Sequence, residues 1–95
     1  MAAYLVANYD VVDADKYREY QQGAAPIMAG GAKLLVLDPA SEVKEGDGGH
    51  QTVVIEYPDK AAALAAYESD EYQAVVGIRL GATSNGRAVI VDGMG

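Results

Sequence analysis

The sequence contains no cysteine, no phenylalanine and no tryptophan, and it has a single histidine. Without cysteine the chain has neither a disulfide nor a thiol nucleophile, which suits a reducing compartment. A lone histidine, His50, does not build a histidine-based metal cluster, so we expect no metal site. The glycine-rich and nucleophile motifs of nucleotide-binding and hydrolytic enzymes are also missing, and we expect a protein that uses no cofactor.

Positive charge is scarce as well. Seven lysine and arginine residues are scattered among fourteen acidic ones, and the net charge is −7. Because phosphate groups are bound by clustered positive charge, we expect neither nucleic acid nor an anionic membrane surface as a partner. No apolar stretch approaches the roughly 20 residues of a membrane span, and no leader-like pattern is present at the start. These features favour a cytoplasmic protein, and the length favours one domain over residues 1–95.

Strand-like and helix-like segments follow one another in the order β-α-β-β-α-β. The predicted strands cover residues 3–9, 33–37, 51–57 and 87–91, with a ragged continuation of the second strand at 42–44. This order is the split β-α-β signature of a ferredoxin-like fold, an α+β architecture. We therefore expect an antiparallel four-stranded sheet with both helices on one face.

Both predicted helices contain an interruption. The first begins at the N-cap Asp13, and Pro26 is expected to kink or split it near Gly23 before Gly30 and Gly31 end it. The second is predicted in two pieces, residues 60–67 and a new helix that starts at the N-cap Ser69. Residues 81–86 are predicted to form a loop before the last strand.

Three predicted strands contain continuous apolar runs in place of an alternation of apolar and polar residues. The runs are LLVL at 34–37, VVI at 53–55 and AVIV at 88–91. Such runs indicate strands that are buried on both faces, yet the helices cover only one face of the sheet. A second copy of the sheet is the simplest cover for the other face, so we expect a homodimer formed through the sheet.

Several short motifs follow one another along nearly the whole chain. They are Tyr17-x-x-Tyr20, Pro26, Gly30-Gly31, Val43-x-Glu45-Gly46, the segment VVIEYPD, and Tyr67-x-Ser69-x-Glu71-Tyr72-Gln73 followed by Arg79. In this arrangement the chain resembles the domain-of-unknown-function 1330 family of the dimeric α/β-barrel superfamily. The resemblance implies a dimer whose two sheets pack face to face into a barrel. The wider superfamily includes cofactor-free monooxygenases, lactone isomerases, polyketide cyclases and haem enzymes, so the fold alone selects no activity.

Arg79 is the strongest candidate for a ligand-binding or catalytic residue. It lies seven positions after Tyr72 on the helix stripe that also holds Val76, so we predict that it points between its helix and the sheet, near Tyr17, Tyr20 or Tyr72. A buried guanidinium needs a partner. That partner is the carboxylate or enolate of a ligand, an acidic group of the chain in a structural ion pair, or the last carbonyl oxygens of its own helix.

Tyrosine supplies all of the aromatic residues, seven in number. Tyr17 and Tyr20 on the first helix, and Tyr67 and Tyr72 beside the break in the second, are candidates for ligand binding. A phenol can hydrogen-bond a ligand oxygen or act as a weak acid. It can equally pack its ring in the core and send its hydroxyl to the rim.

Three more polar residues are candidates. His50 follows a glycine-rich loop, and it is either a general base or a solvated turn residue. Asn8 and Glu56 lie within apolar strands, so each is paired, faces a cavity or is exposed at an edge. In the cavity-facing case Asn8 orients a ligand and Glu56 pairs with Arg79.

Two functions remain open from the sequence. In the first, the protein binds or transforms a small oxygenated or carboxylated organic molecule without a cofactor, with Arg79 stabilising negative charge and a tyrosine moving the proton. In the second, it is a non-catalytic binding or structural module in which Arg79 is an ion-pair residue. The residues identify neither the ligand nor a general base.

Overall fold

A computed structural model describes residues 1–27 and 31–95 of the chain. The described residues form seven elements in the order β-α-β-β-α-α-β. They are β1 (Ala3–Val11), α1 (Ala14–Ala24), β2 (Lys33–Asp38), β3 (Gln51–Tyr57), α2 (Lys60–Glu68), α3 (Asp70–Ala82) and β4 (Thr83–Asp92). Within this part of the chain no helix is both long and apolar enough to cross a membrane.

The four strands form an antiparallel sheet in the order β2-β3-β1-β4. This is the predicted ferredoxin-like topology, with the second helix in two pieces, α2 and α3. Leu5 of β1 lies opposite Ile55 of β3 and Ile90 of β4, and these three side chains belong to the core. Because strand side chains alternate between faces, Ala7 and Tyr9 point to the same side as Leu5 and are also buried.

Three side-chain caps fix where the helices begin. The side chains of Asp13, Asp59 and Ser69 accept hydrogen bonds from the backbone N–H three residues further on, at 3.1 Å, 2.7 Å and 3.2 Å respectively. Each cap satisfies a backbone donor that has no partner within its helix. The predicted helix starts after Asp13 and Ser69 are confirmed.

The outer face of the sheet, which points away from the helices, is mainly apolar. Tyr4 and Val6 of β1, Val54 of β3, and Val89 and Val91 of β4 share this face. Val89 is 53% exposed and Val91 39% exposed. The helices therefore leave uncovered a surface that the apolar runs of the sequence marked for burial.

The predicted loop at 81–86 is wrong. α3 continues to Ala82 and β4 begins at Thr83, where the Thr83 hydroxyl donates to the carbonyl oxygen of Arg79 at 2.8 Å. β4 then pairs with β1 as far back as Val11, through a register shift between Asn8 and Asp10. Small and polar residues that are typical of a loop form a strand here because they pair with β1. That pairing is a long-range contact, so the local sequence does not predict it.

Two smaller predictions also fail. α1 ends at Ala24, so Pro26 follows the helix and neither kinks nor splits it near Gly23. Residues 42–44 have no strand structure. Of the two glycines predicted to end the first helix, Gly30 lies outside the described residues and Gly31 has a positive φ of 97°.

Candidate functional site

α1 packs on α3, and a cavity of about 170 Å³ lies between α1 and the sheet. We call this space the α1 cavity. Its floor is apolar and includes Leu5 and Ile55, and its roof includes Tyr20 of α1. Leu34 and Leu37 of β2 also line it and are 45% and 47% exposed, so they mark its open side.

Arg79 lies at the inner wall of the α1 cavity. It is only 5% exposed, and its guanidinium carbon is 5.4 Å from the centre of the Tyr9 ring and 5.7 Å from that of Tyr20. Both distances are within the range of cation–π attraction. The predicted position of Arg79, between its helix and the sheet and beside Tyr20, is confirmed.

The charge of Arg79 has no ion-pair partner among residues 1–27 and 31–95. Glu56 lies on the outer face of the sheet, opposite Tyr4 and Lys33, so the cavity-facing alternative, in which Glu56 pairs with Arg79, is wrong. Among the residues that the structure describes, Arg79 is the only cationic group of the cavity wall, and it faces aromatic rings and a largely apolar space.

Four tyrosines surround Arg79 in two hydrogen-bonded pairs. The hydroxyl oxygens of Tyr9 and Tyr17 are 2.7 Å apart, and those of Tyr20 and Tyr72 are 2.6 Å apart. The first pair connects β1 to α1, and the second connects α1 to α3. These bonds fix the rings around the guanidinium and tie α1 to both of its neighbours.

All four phenols stay protonated near neutral pH. Burial raises the pKa of Tyr9, Tyr17, Tyr20 and Tyr72 above the ordinary tyrosine value, and the positive charge of Arg79 offsets only part of this shift. Burial by itself lowers the pKa of Arg79, but the surrounding tyrosines outweigh burial and raise it. The site thus combines a permanent cation with neutral hydroxyls, which suits an anion better than it suits proton abstraction.

The family model for the domain of unknown function DUF1330 matches residues 2–94. The chain belongs to the DUF1330 family. None of the curated proteins compared with it matches. The match to the family model confirms the resemblance that the tyrosine, glycine and Arg79 motifs indicated.

Solved structures share the fold of this DUF1330 chain at low sequence identity. A protein of unknown function from Rhodopseudomonas palustris is 16% identical, with a TM-score of 0.80, over 99% of this chain and 83% of the other. A dimeric ferredoxin-like protein of unknown function from Jannaschia sp. is 16% identical, with a TM-score of 0.74, over 98% and 100%. SnoaB from Streptomyces nogalater, a cofactor-independent oxygenase, is 12% identical, with a TM-score of 0.68, over 99% and 94%.

The structure does not bring Asn8 to the α1 cavity of this DUF1330 protein. Asn8 faces the outer side of the sheet, where its amide donates to the carbonyl oxygen of Gly49 at 3.0 Å and to the hydroxyl of Thr52 at 3.0 Å. Its side-chain oxygen also accepts from the N–H of Gly49 at 2.6 Å. Asn8 therefore anchors the loop before β3, and the polar position inside a strand is explained by pairing.

His50 also lies away from the cavity. Its Nε2 accepts from the N–H of Val11 at 3.0 Å, and its Nδ1 lies 2.8 Å from the carbonyl oxygen of Pro39, to which it donates. With both ring nitrogens occupied by backbone, His50 joins β1 to the turn after β2 and has no free nitrogen for a reaction. This residue is neither the solvated turn histidine nor the general base that the sequence left open.

Tyr9 is the residue of the site that the sequence analysis missed. It contributes a ring beneath Arg79 and a hydroxyl to Tyr17. The signal was present, because Tyr9 continues the alternation of Leu5 and Ala7 on the helix-facing side of β1. Helical spacing identified the tyrosines of the helices. The alternation of buried residues in β1 would have identified Tyr9, which approaches the same cavity from the sheet.

Proposed function

We propose that this DUF1330 protein is a homodimer that binds a small organic acid in the α1 cavity, with Arg79 holding the negatively charged group. The observation that carries the proposal is a guanidinium that is 5% exposed, has no carboxylate partner in the described residues and lines a cavity. Burying a charge without a counter-ion is costly. An anionic ligand removes that cost and gains a charge-assisted hydrogen bond, often a bidentate one.

The size and lining of the cavity suit a ligand whose apolar part is about as large as one benzene ring. Its volume is about 170 Å³, and an apolar protein cavity of about 150 Å³ accommodates benzene. Leucine, isoleucine, valine and alanine side chains line most of it, together with Gln21. An aromatic or short branched carboxylic acid matches an apolar wall at one end and Arg79 at the other.

The homodimer is supported by the exposed outer face and by the relatives. Val89 and Val91 belong to a patch that would be buried if two sheets stacked. Related structures from Jannaschia sp. and Thermobifida fusca are dimeric ferredoxin-like proteins. A specific interface buries roughly 1,200–2,000 Å² in total, which the face of a four-stranded sheet can provide.

Conversion of the bound acid without a cofactor is the second candidate function. SnoaB, which has the same fold, is a cofactor-independent oxygenase, and Arg79 is suited to stabilise an enolate. Burial raises the pKa of Tyr9 and Tyr72, so these phenols stay protonated; they can donate hydrogen bonds but are not available as bases. Among the described residues the wall of the α1 cavity contains no carboxylate or histidine. We therefore place binding before catalysis.

Calorimetric titration with benzoate tests the proposal. We expect saturable binding that Arg79→Ala weakens by roughly 10- to 150-fold, the equivalent of one hydrogen bond to a charged group. Arg79→Lys should retain part of the affinity, because lysine keeps the charge but lacks the bidentate geometry. Benzyl alcohol, which has the same ring but no charge, should bind weakly to the wild type.

Arg18→Ala is the matched control, since Arg18 is an exposed arginine on α1 with 64% side-chain exposure. It should bind benzoate like the wild type. Circular dichroism establishes that each variant keeps its fold. If both folded Arg79 variants bind benzoate as the wild type does, or if benzoate and phenylacetate fail to bind the wild type, the proposed site is wrong.

A further inference from the structure

A second cavity, of about 340 Å³, lies between the end of α3 and the first half of β4. We call it the β4 cleft. Its lining includes hydroxyl and amide groups of Thr83, Ser84 and Asn85, in contrast to the apolar walls of the α1 cavity. A space lined by such donors and acceptors favours a hydrophilic occupant over an apolar ring.

Arg79 and Tyr9 are common to both spaces. Each residue lines the α1 cavity and also lines the β4 cleft, so together they form the partition between the two. The guanidinium, which has no acidic partner in the described part of the chain, is thus next to a polar space as well as an apolar one. An anion in the cleft would therefore contact the same guanidinium as a ligand in the α1 cavity.

Tyr67 supplies a second recognition group in the cleft. The other four tyrosines of the cluster use their hydroxyls on one another, whereas the Tyr67 hydroxyl has no hydrogen-bond partner among the described residues. No fully enclosed side-chain nitrogen or oxygen of those residues is left unpaired, so the Tyr67 hydroxyl must be accessible. Tyr67 lines the cleft together with Arg79 and packs against Tyr72 at a ring distance of 5.2 Å.

The far wall of the cleft is held in a defined shape. Asn85 has a φ of 55°, in the left-handed region that residues other than glycine seldom adopt. Its side-chain amide donates to the backbone oxygen of Asp47, on the loop before β3. Asparagine adopts this conformation more readily than most other residues, and the hydrogen bond to Asp47 holds Asn85 in place beside the cleft.

We propose that the β4 cleft is a second ligand site, which takes a small hydroxylated carboxylate through Arg79 and Tyr67. The carboxylate binds the guanidinium, and the hydroxyls of the ligand meet Tyr67 and the polar wall. Because one guanidinium serves both spaces, the cleft ligand and the cavity ligand compete for Arg79. The inference rests on the proposed role of Arg79 as an anion site and adds a second class of ligand to it.

Titrations with glycerate and propionate, which have the same chain length, test the cleft. Tyrosine fluorescence is a convenient readout, because the chain has seven tyrosines and no tryptophan. We expect glycerate to bind more tightly than propionate. We expect Tyr67→Phe to weaken glycerate roughly 3- to 10-fold, as the loss of one neutral hydrogen bond predicts, and to leave benzoate unaffected.

A cavity-filling variant separates the two sites. Val53 lines the α1 cavity but not the cleft, so Val53→Phe should weaken benzoate and leave glycerate unchanged. Glycerate should also displace benzoate from the wild type. The inference is overturned if glycerate fails to bind, if Tyr67→Phe has no effect on it, or if Val53→Phe removes it. If glycerate behaves as expected and benzoate does not bind, the cleft site stands and the α1 cavity proposal falls.

Discussion

Arg79 lies among four tyrosines that stay protonated near neutral pH. Helical spacing predicted that Arg79 and Tyr72 share one inward-facing stripe of α3, close to Tyr20 of α1, and the structure agrees. Asn8 and His50 were harder to place, because a residue type gives no information about which backbone groups will lie beside it. Both side chains are used in hydrogen bonds to segments about 40 residues away in sequence.

We predict that the protein loses stability above about pH 10, the ordinary tyrosine pKa. Burial raises the pKa of Tyr9, Tyr17, Tyr20 and Tyr72 in the folded state. The unfolded chain therefore releases these protons at lower pH than the folded one. The resulting stabilisation is fully present below the unfolded pKa and is lost as pH rises toward the folded values.

Urea denaturation at a series of pH values, from about 8 to about 12, measures this dependence on both sides of the ordinary tyrosine pKa of about 10. Tyr72→Phe removes one of the buried phenols and should reduce the slope. Tyr4→Phe, on the outer face of the sheet, serves as the control. Stability that stays constant through the alkaline range would contradict the burial of the phenols.

Helices and strands were predicted in type and order, and the errors fall at their ends. Strand β3 has the predicted bounds, since its apolar run is framed by a glycine-rich loop and Pro58. The start of β4 was missed, because Thr83, Ser84 and Asn85 are individually typical of a loop. Their strand structure comes from pairing with β1 across the register shift, a long-range interaction.

Two glycines in different elements should respond in opposite directions to an added methyl group. Gly77 lies inside α3, where a Cβ would meet no atom within 4 Å, so Gly77→Ala should stabilise the protein by about 0.5–1 kcal/mol. Gly49 packs against β1, where a Cβ would lie 2.2 Å from the carbonyl carbon of Tyr9. Gly49→Ala should therefore destabilise the protein by about 3 kcal/mol or more.

Chemical denaturation of the two variants beside the wild type measures both free-energy changes. A stabilising Gly49→Ala would mean that the loop moves away from β1 at little cost. A destabilising Gly77→Ala would indicate that α3 has a neighbour on that side, such as a second subunit.

The whole molecule presents an apolar sheet face that a single copy leaves open. Three apolar runs predicted that the sheet is buried on both faces. The alternate residues of these runs that point away from the helices form the open face. We predict that Val89→Lys, at a 53% exposed position of that face on the edge strand β4, weakens the proposed homodimer, since association would bury an unpaired charge. Leu64→Lys on α2, at a position that is 41% exposed and away from the sheet, should leave the dimer intact.

Sedimentation analysis at micromolar concentration distinguishes the species, because the dimer has twice the 9.9 kDa mass of the chain. A wild-type protein that sediments as a monomer would overturn both the dimer and the explanation of the apolar runs.

The cavity between α1 and the sheet affects how fast α1 opens. α1 packs on α3 and buries Tyr17 against Ala7 and Tyr9 of β1, two phenol–phenol hydrogen bonds join it to its neighbours, and the α1 cavity lies under part of its inner face. A helix with a cavity beneath part of it opens more readily than the strands below. We therefore expect amide hydrogens of α1 to exchange with deuterium faster than those of β1 and β3, and saturation with benzoate to slow α1 selectively. If so, the rate at which α1 opens sets how fast a ligand enters and leaves.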